Sequence, residues 1–155
     1  MFKRFDQQSL VMELLKRHAR IAIVHRETGV SKQLLRKSYR ELHGCSPSPG
    51  ALKYSTQGLT RNLKHYKEVT LFAVCFQTVD AQSQAEDIRK ILMAFDSYKQ
   101  FCPASPLDFS AAWVIARDLK ARQIKLNRCP HCGAAVLLQA REAVLERCGV
   151  CKASL

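Results

Sequence analysis

Four of the seven cysteines in this 155-residue chain are spaced for a metal: Cys129 and Cys132 enclose two residues, fifteen residues follow, and Cys148 and Cys151 enclose two more. Tetrahedral zinc accepts four thiolates at about 2.3 Å, and a two-residue spacer lets one tight turn aim both sulfurs of a pair at the same point. Gly133, directly after the first pair, and Gly149, inside the second, are expected to relax the turns where backbone amides approach sulfur. Four thiolates close the coordination shell, so the spacing predicts one structural zinc ion per chain. His131 lies inside the first pair as a competing ligand, but four suitably spaced sulfurs leave it without need of the metal.

Two catalytic uses of such residues differ from structural zinc in what they require of the surrounding chain. Cys129-Pro130-His131-Cys132 matches the active-site sequence of some thiol oxidases, which requires a thioredoxin-like sheet with a strand before the motif and a helix after it. Helical patterning precedes it here, and a second cysteine pair follows. His25-Arg26-Glu27 matches half of the zinc-deaminase signature, whose other half needs proline before the cysteine pair and a metal left open for water. Arg128 precedes Cys129, so the chain is expected not to be an enzyme. Cys45, Cys75 and Cys102 have no partner in sequence and read as ordinary small residues.

The second chemical signal is charge. Twenty-five Lys and Arg against thirteen Asp and Glu give +12, which points to a polyanionic partner. Residues 1–67 hold fourteen of the basic residues and four of the acidic ones, net +10, leaving net +2 for residues 68–155. Within that basic half, Ile21 to Arg40 has the length and order of a helix-turn-helix, with Gly29 in the turn. Lys32, Gln33, Arg36, Lys37 and Arg40 are the candidate DNA contacts: base edges near the start of the second helix and phosphates further along, arginine suiting guanine and glutamine adenine. A second basic run, Arg117, Lys120, Arg122, Lys125 and Arg128, leads into the cysteine module; Arg122, Lys125 and Arg128 are its candidate phosphate contacts.

The elements that must position these residues are mainly helical. Apolar spacing predicts a first helix over Ser9–Arg26, with Leu10, Leu14 and Ala22 on its inner face, and a second from the N-cap Ser31 to His43, with Leu34, Leu35, Tyr39 and Leu42 inward and Gly44 ending it. Cys45 to Gly50, with two prolines, reads as a loop. Further helices are predicted over Thr56–Val79, Gln84–Phe101 and Leu107–Arg122, with Trp113 the largest core anchor. After Arg122 the pattern changes to a short strand over Ala135–Ala140, with Ala143–Arg147 as its returning partner. The expected fold is mainly α: a helical body over residues 1–122 with a helix-turn-helix-like segment, and a C-terminal zinc ribbon with short strands over residues 123–155. The longest apolar stretches, such as Val69–Phe76, fall well short of the roughly 20 residues that cross a bilayer. Met1 to Asp6 runs straight into an amphipathic pattern, unlike a signal peptide, so a cytoplasmic protein with no membrane partner is expected.

With these residues in place the sequence resembles the FlhC family, the zinc-containing subunit of the bacterial flagellar master transcriptional activator. The resemblance is carried by Met12-Glu13-Leu14, Ala19-Arg20, Glu27-Thr28-Gly29-Val30-Ser31, Tyr39-Arg40-Glu41-Leu42, Pro49-Gly50, Leu52, Tyr54-Ser55-Thr56, Ala112-Trp113 and the four cysteines, in the family's order. It implies a DNA-binding subunit that works with a small helical partner, FlhD, in a complex of four FlhD and two FlhC chains. Such a complex binds double-stranded promoter DNA and recruits RNA polymerase to flagellar, related motility or mobile-element transfer genes. The rival outside this class is a zinc-stabilised adaptor that binds RNA or an acidic protein without promoter specificity.

Overall fold

In the computed structural model of the protein, residues 2–53, 55–139 and 147–154 are described. They form α1 (Phe2–Lys16), α2 (Ile21–Thr28), α3 (Lys32–His43), a 3₁₀ turn (Thr56–Leu59), α4 (Leu63–Gln82), α5 (Asp87–Phe101), α6 (Phe109–Lys120), β1 (Ile124–Arg128) and β2 (Ala135–Gln139). The mainly helical class with a small C-terminal strand pair is therefore as the sequence predicts. Among the described residues no helix is long and apolar enough to cross a membrane.

Packing divides the chain elsewhere than composition does. One compact unit is Met1–Leu52 with Asp108–Ser110, and the other is Lys53–Leu107 with Ala111–Leu155. The cysteine ribbon thus shares a unit with α4, α5 and most of α6, because β1 and β2 both pack on α4.

In the first unit α1, α2 and α3 contact one another, and Leu14, Leu15, Ile23, Val24, Leu35 and Tyr39 are buried. The single helix expected over Ser9–Arg26 is broken: α1 ends at Lys16, and α2 starts at Ile21. A continuous helix, turning about 100° per residue, would scatter Leu14, Leu15, Ala19, Ile23 and Val24 over most of its circumference. His18 instead takes a left-handed conformation (φ 55°), its amide and that of Ala19 bond back to the carbonyls of Leu15 and Leu14, and the second apolar set is re-aimed. No glycine or proline marks this break. Ala22, expected on the inner face, is exposed.

In the second unit α4 packs along α5, with Phe72 edge-on to Tyr98 at 5.9 Å between ring centroids, and Trp113 is buried as expected. The helix predicted over Thr56–Val79 starts later. Thr56–Leu59 is a 3₁₀ turn, and Asn62, extended and accepting from the His65 amide at 2.9 Å, caps α4 at Leu63. Thr56 is fully buried, and its amide and hydroxyl both donate to Asp118 Oδ2 on α6, each at 2.8 Å. That pair of bonds competes successfully with helical continuation.

β1 and β2 are antiparallel, from Ile124 opposite Gln139 to Arg128 opposite Ala135, so the first cysteine pair sits in their connection. Of the returning strand expected over Ala143–Arg147, residues 143–146 lie outside the described residues; Arg147 forms an isolated bridge with Ser154.

Candidate metal centre and nucleic-acid interface

The two cysteine pairs are built on one local plan. In the first, the Gly133 amide donates to Cys129 O and the Cys129 amide to Ala134 O, each at 2.8 Å. In the second, the Lys152 amide donates to Cys148 O at 3.1 Å and the Cys148 amide to Ala153 O at 2.8 Å. Each turn reverses at its fifth residue through a left-handed conformation, Gly133 at φ 72° and Lys152 at φ 63°. Glycine therefore supplies the strained position of the first turn only. Gly149, assigned that role in the second, has an ordinary φ, and its Cα faces α4, where an added Cβ would lie 3.8 Å from Leu63 Cδ1.

These turns bring Cys129, Cys132, Cys148 and Cys151 together, all four Sγ atoms lying within 4.8 Å of one another. Two approaches cross the pairs, Cys129 to Cys151 and Cys132 to Cys148, both 3.7 Å. A tetrahedron with metal–sulfur bonds of about 2.3 Å has edges of about 3.8 Å, so the thiols present fit a four-sulfur metal site. Cys129 and Cys148 are buried and Cys132 and Cys151 exposed. The amides of Cys151 and Val150 pull the Cys148 thiol down to about 6. The Ala153 amide also pulls on Cys151, but desolvation and the neighbouring sulfurs outweigh it and push that thiol up to about 11.

His131 is exposed and outside the sulfur cluster. Cys129-Pro130-His131-Cys132 leads into β2, not into the helix that a thioredoxin-like site requires. His25 is held by the Val30 carbonyl at 2.8 Å within the α2–α3 turn. Burial, with Cys102 nearby, pushes the Cys75 thiol up, consistent with an unreactive packing role.

The ribbon's own core consists of Cys129, Val136 and Cys148, with Ala134 and Leu138 packed against it. Its attachment to α4 was not legible in the sequence. Tyr66 Oη accepts from the Leu137 amide at 2.8 Å and donates to the Leu137 carbonyl at 3.0 Å, satisfying one residue of β2 on the side turned from β1. Tyr66→Phe leaves both groups without this partner, and a loss of about 1–3 kcal/mol in unfolding free energy is expected in urea titrations, with zinc content unchanged.

The helix-turn-helix residues fall where the sequence puts them in α2 and α3. Gly29 is left-handed at φ 70°, Ser31 accepts from the Leu34 amide at 3.4 Å, and Gly44 ends α3 at φ 69°. Lys32, Gln33, Arg36, Lys37 and Arg40 are all exposed on α3. Leu34, expected inward, is 53% exposed and stands among them, because the inner stripe is completed by Leu35 and Tyr39. Lys37 lies 3.9 Å from Glu41; both are well exposed.

The second basic run is divided by its ion pairs. Arg117 is committed to Asp118 at 2.8 Å, and Lys120 to Asp87 at 2.6 Å and Asp80 at 3.5 Å. Arg122, left-handed at φ 55° after α6, and Lys125 on β1 are exposed, with no ion pair among the described residues. Arg128 is exposed too, and its Nη1 donates to Gly133 O at 3.0 Å, bracing the first cysteine turn.

A mainly helical protein with a basic helix-turn-helix and a four-cysteine centre is the class these features define. The chain belongs to the FlhC family: the family described as flagellar transcriptional activator (FlhC) matches residues 1–154. A flagellar transcriptional regulator FlhC from Cupriavidus necator is 26% identical over 97% of this chain and 76% of its own length. One from Serratia marcescens is 27% identical over 86% of this chain and 71% of its own length, and one from Gallionella capsiferriformans 25% over 94% and 83%. The family is one of transcriptional regulators, not of enzymes.

Proposed function

We propose that this chain is the sequence-specific DNA-binding subunit of a transcriptional activator and that it carries one structural zinc ion on Cys129, Cys132, Cys148 and Cys151. The observation that carries the proposal is the exposed basic surface of α3, positioned by a left-handed Gly29 turn, in a member of a transcriptional activator family. A helix of this kind enters the major groove and reads base edges, while surrounding cations neutralise phosphates. Arg122, Lys125 and Arg128 are assigned to phosphates. The chain works in the cytoplasm with an FlhD-type helical subunit, in the four-to-two assembly the resemblance implies, and brings RNA polymerase to flagellar or related motility or transfer promoters. Zinc supplies cross-linking of the ribbon; residues 1–122 are assigned to partner and DNA binding and residues 123–155 to zinc binding, with Lys125 and Arg128 extending the phosphate contacts.

The test is binding of the zinc-loaded chain, co-expressed with its FlhD-type partner, to a duplex enriched from a randomised pool and to a shuffled version. The expected result is a preference of about 10³-fold or more for the enriched duplex, with affinity falling steeply as salt rises. Equal affinity for both duplexes, or tighter binding to RNA or an acidic peptide, would favour the adaptor instead. Arg122→Ala with Lys125→Ala is expected to weaken both duplexes equally, since phosphates carry no sequence information.

A further inference from the structure

The exposed surface of α3 is not uniform. Lys32, Arg36 and Arg40 follow at four-residue steps and line an open cleft of ≈ 440 Å³ whose opposite wall is the loop from Ser46 to Leu52. At about 100° per residue these three stay within an arc of about 80° flanking the buried Leu35 and Tyr39. Gln33, Lys37 and Leu34 occupy the crest on the other side, furthest from the core. α3 therefore has a walled cationic flank and an open crest.

The loop wall is held in place. Arg20, at the start of α2, donates from Nη1 to the carbonyls of Pro49 at 2.8 Å and Gly50 at 3.1 Å. Gly50 adopts φ +99°, which a side chain would oppose, and Pro47 and Pro49 fix their own φ. Ile21 and Ala22, the positive end of α2, also line the cleft. No carboxylate lines it, and Lys32, Arg36 and Arg40 have no ion pair among the described residues. Arg20 is thus a positioning residue for a cleft that offers positive charge and no negative group.

We infer that this cleft is a phosphodiester clamp: Lys32, Arg36 and Arg40, with the Ser46–Leu52 loop, grip the backbone of one DNA strand, while base reading falls to the crest, Gln33, Leu34 and Lys37. The inference rests on the DNA-binding reading and deepens it by moving Arg36 from base edge to backbone. A recognition helix lying in the major groove turns its crest to the base edges and its flanks to the strands that border the groove. The cleft volume is of the size that a whole small ligand fills, so it has room for a phosphate with its flanking sugars. On the crest, Leu34 suits a thymine methyl and Gln33 an adenine.

The experiment compares Lys32→Ala/Arg36→Ala with Gln33→Ala and Leu34→Ala in the zinc-loaded chain with its FlhD-type partner. Affinities for the enriched and shuffled duplexes are read at 50 and 200 mM salt, with helical content checked by circular dichroism. Each lost phosphate contact removes about 0.9 from the slope of log affinity against log salt, a factor of about 3.5 over that fourfold range. The double variant is expected to reduce the salt-induced loss of affinity by about 12-fold on both duplexes and to keep their ratio within about twofold. Arg36→Lys is expected to keep the slope, because a point charge suffices for a phosphate. Gln33→Ala and Leu34→Ala are expected to keep the slope and to lower the ratio at least about fivefold. An unchanged slope in the double variant, or a fall in ratio on Arg36→Ala matching that of Gln33→Ala, overturns the clamp. Saturable sub-millimolar binding of inorganic phosphate to the DNA-free protein, lost in the double variant while its DNA slope is unchanged, overturns it in favour of a free-anion site. If the unmodified complex does not distinguish the two duplexes, the DNA-binding reading itself has failed, which is a separate result.

Discussion

Cys148→Ser is expected to lose stoichiometric zinc and to unfold the ribbon, while most of the helical signal survives. The purified wild-type chain should carry one zinc ion, and the variant much less than one, by elemental analysis. The ribbon's own core is three buried residues with two partly buried neighbours. That is too little apolar surface to offset the ordering of two strands and two turns. Structural zinc contributes about 10–16 kcal/mol in finger peptides, far more than any other single contact in this segment. Loss of protection at the β1 and β2 amides, read by hydrogen exchange, localises the unfolding, because α1 to α3 contain none of the four ligands. Acidification should act in the same direction as the substitution, since protons compete with the metal for thiolate. Cys45→Ser, which alters an exposed cysteine in the first unit, is the control and should keep both zinc and ribbon. A metal-free chain with fully protected strands would rule out the structural role.

The cysteine centre was legible because ligand spacing is a local property. A two-residue spacer dictates a turn whatever surrounds it, and four such ligands leave few alternatives. The caps of α3 were legible for the same reason: Ser31 and Gly44 act on backbone groups within four residues of themselves. What escaped depends on contacts distant in sequence. The break at His18 has no glycine or proline, and arises because two apolar sets must face one core. Thr56 and Asp118 are 62 positions apart, and Tyr66 and Leu137 are 71 apart, so neither pairing leaves a periodic trace. Lys152 in a left-handed conformation is similar: only the shared bonding of the two cysteine turns reveals that it stands where Gly133 stands in the first. Leu34 is apolar yet exposed because a small body buries only as many faces of a helix as it has neighbours.

Asp118→Ala is expected to destabilise the unit that holds the ribbon by about 3–5 kcal/mol without touching a metal ligand. The Asp118 side chain is 7% exposed, and its two oxygens divide their work. Oδ2 accepts from the Thr56 amide and hydroxyl; Oδ1 accepts from Arg117 Nε at 3.0 Å and Nη2 at 2.8 Å. Removing the carboxylate leaves two donors on a fully buried residue without their acceptor, and removes the two bonds that Asp118 takes from the half-buried Arg117. Each unsatisfied buried group costs about 1–3 kcal/mol, so the loss comes from desolvation, not from the Coulomb attraction alone. Thr56→Val tests this division, because it removes the hydroxyl with its polar demand and keeps the amide bond; about 1 kcal/mol is expected. With an m-value of about 1–3 kcal/mol/M, Asp118→Ala should lower the urea midpoint by about 1 M or more. In the double variant, Thr56→Val should recover part of the loss caused by Asp118→Ala, because one orphaned donor has gone. Zinc stoichiometry at zero urea should remain one. If the two losses simply add, Asp118 and Thr56 are not energetically coupled. The start of α4 must then be fixed by its Asn62 cap and apolar packing alone.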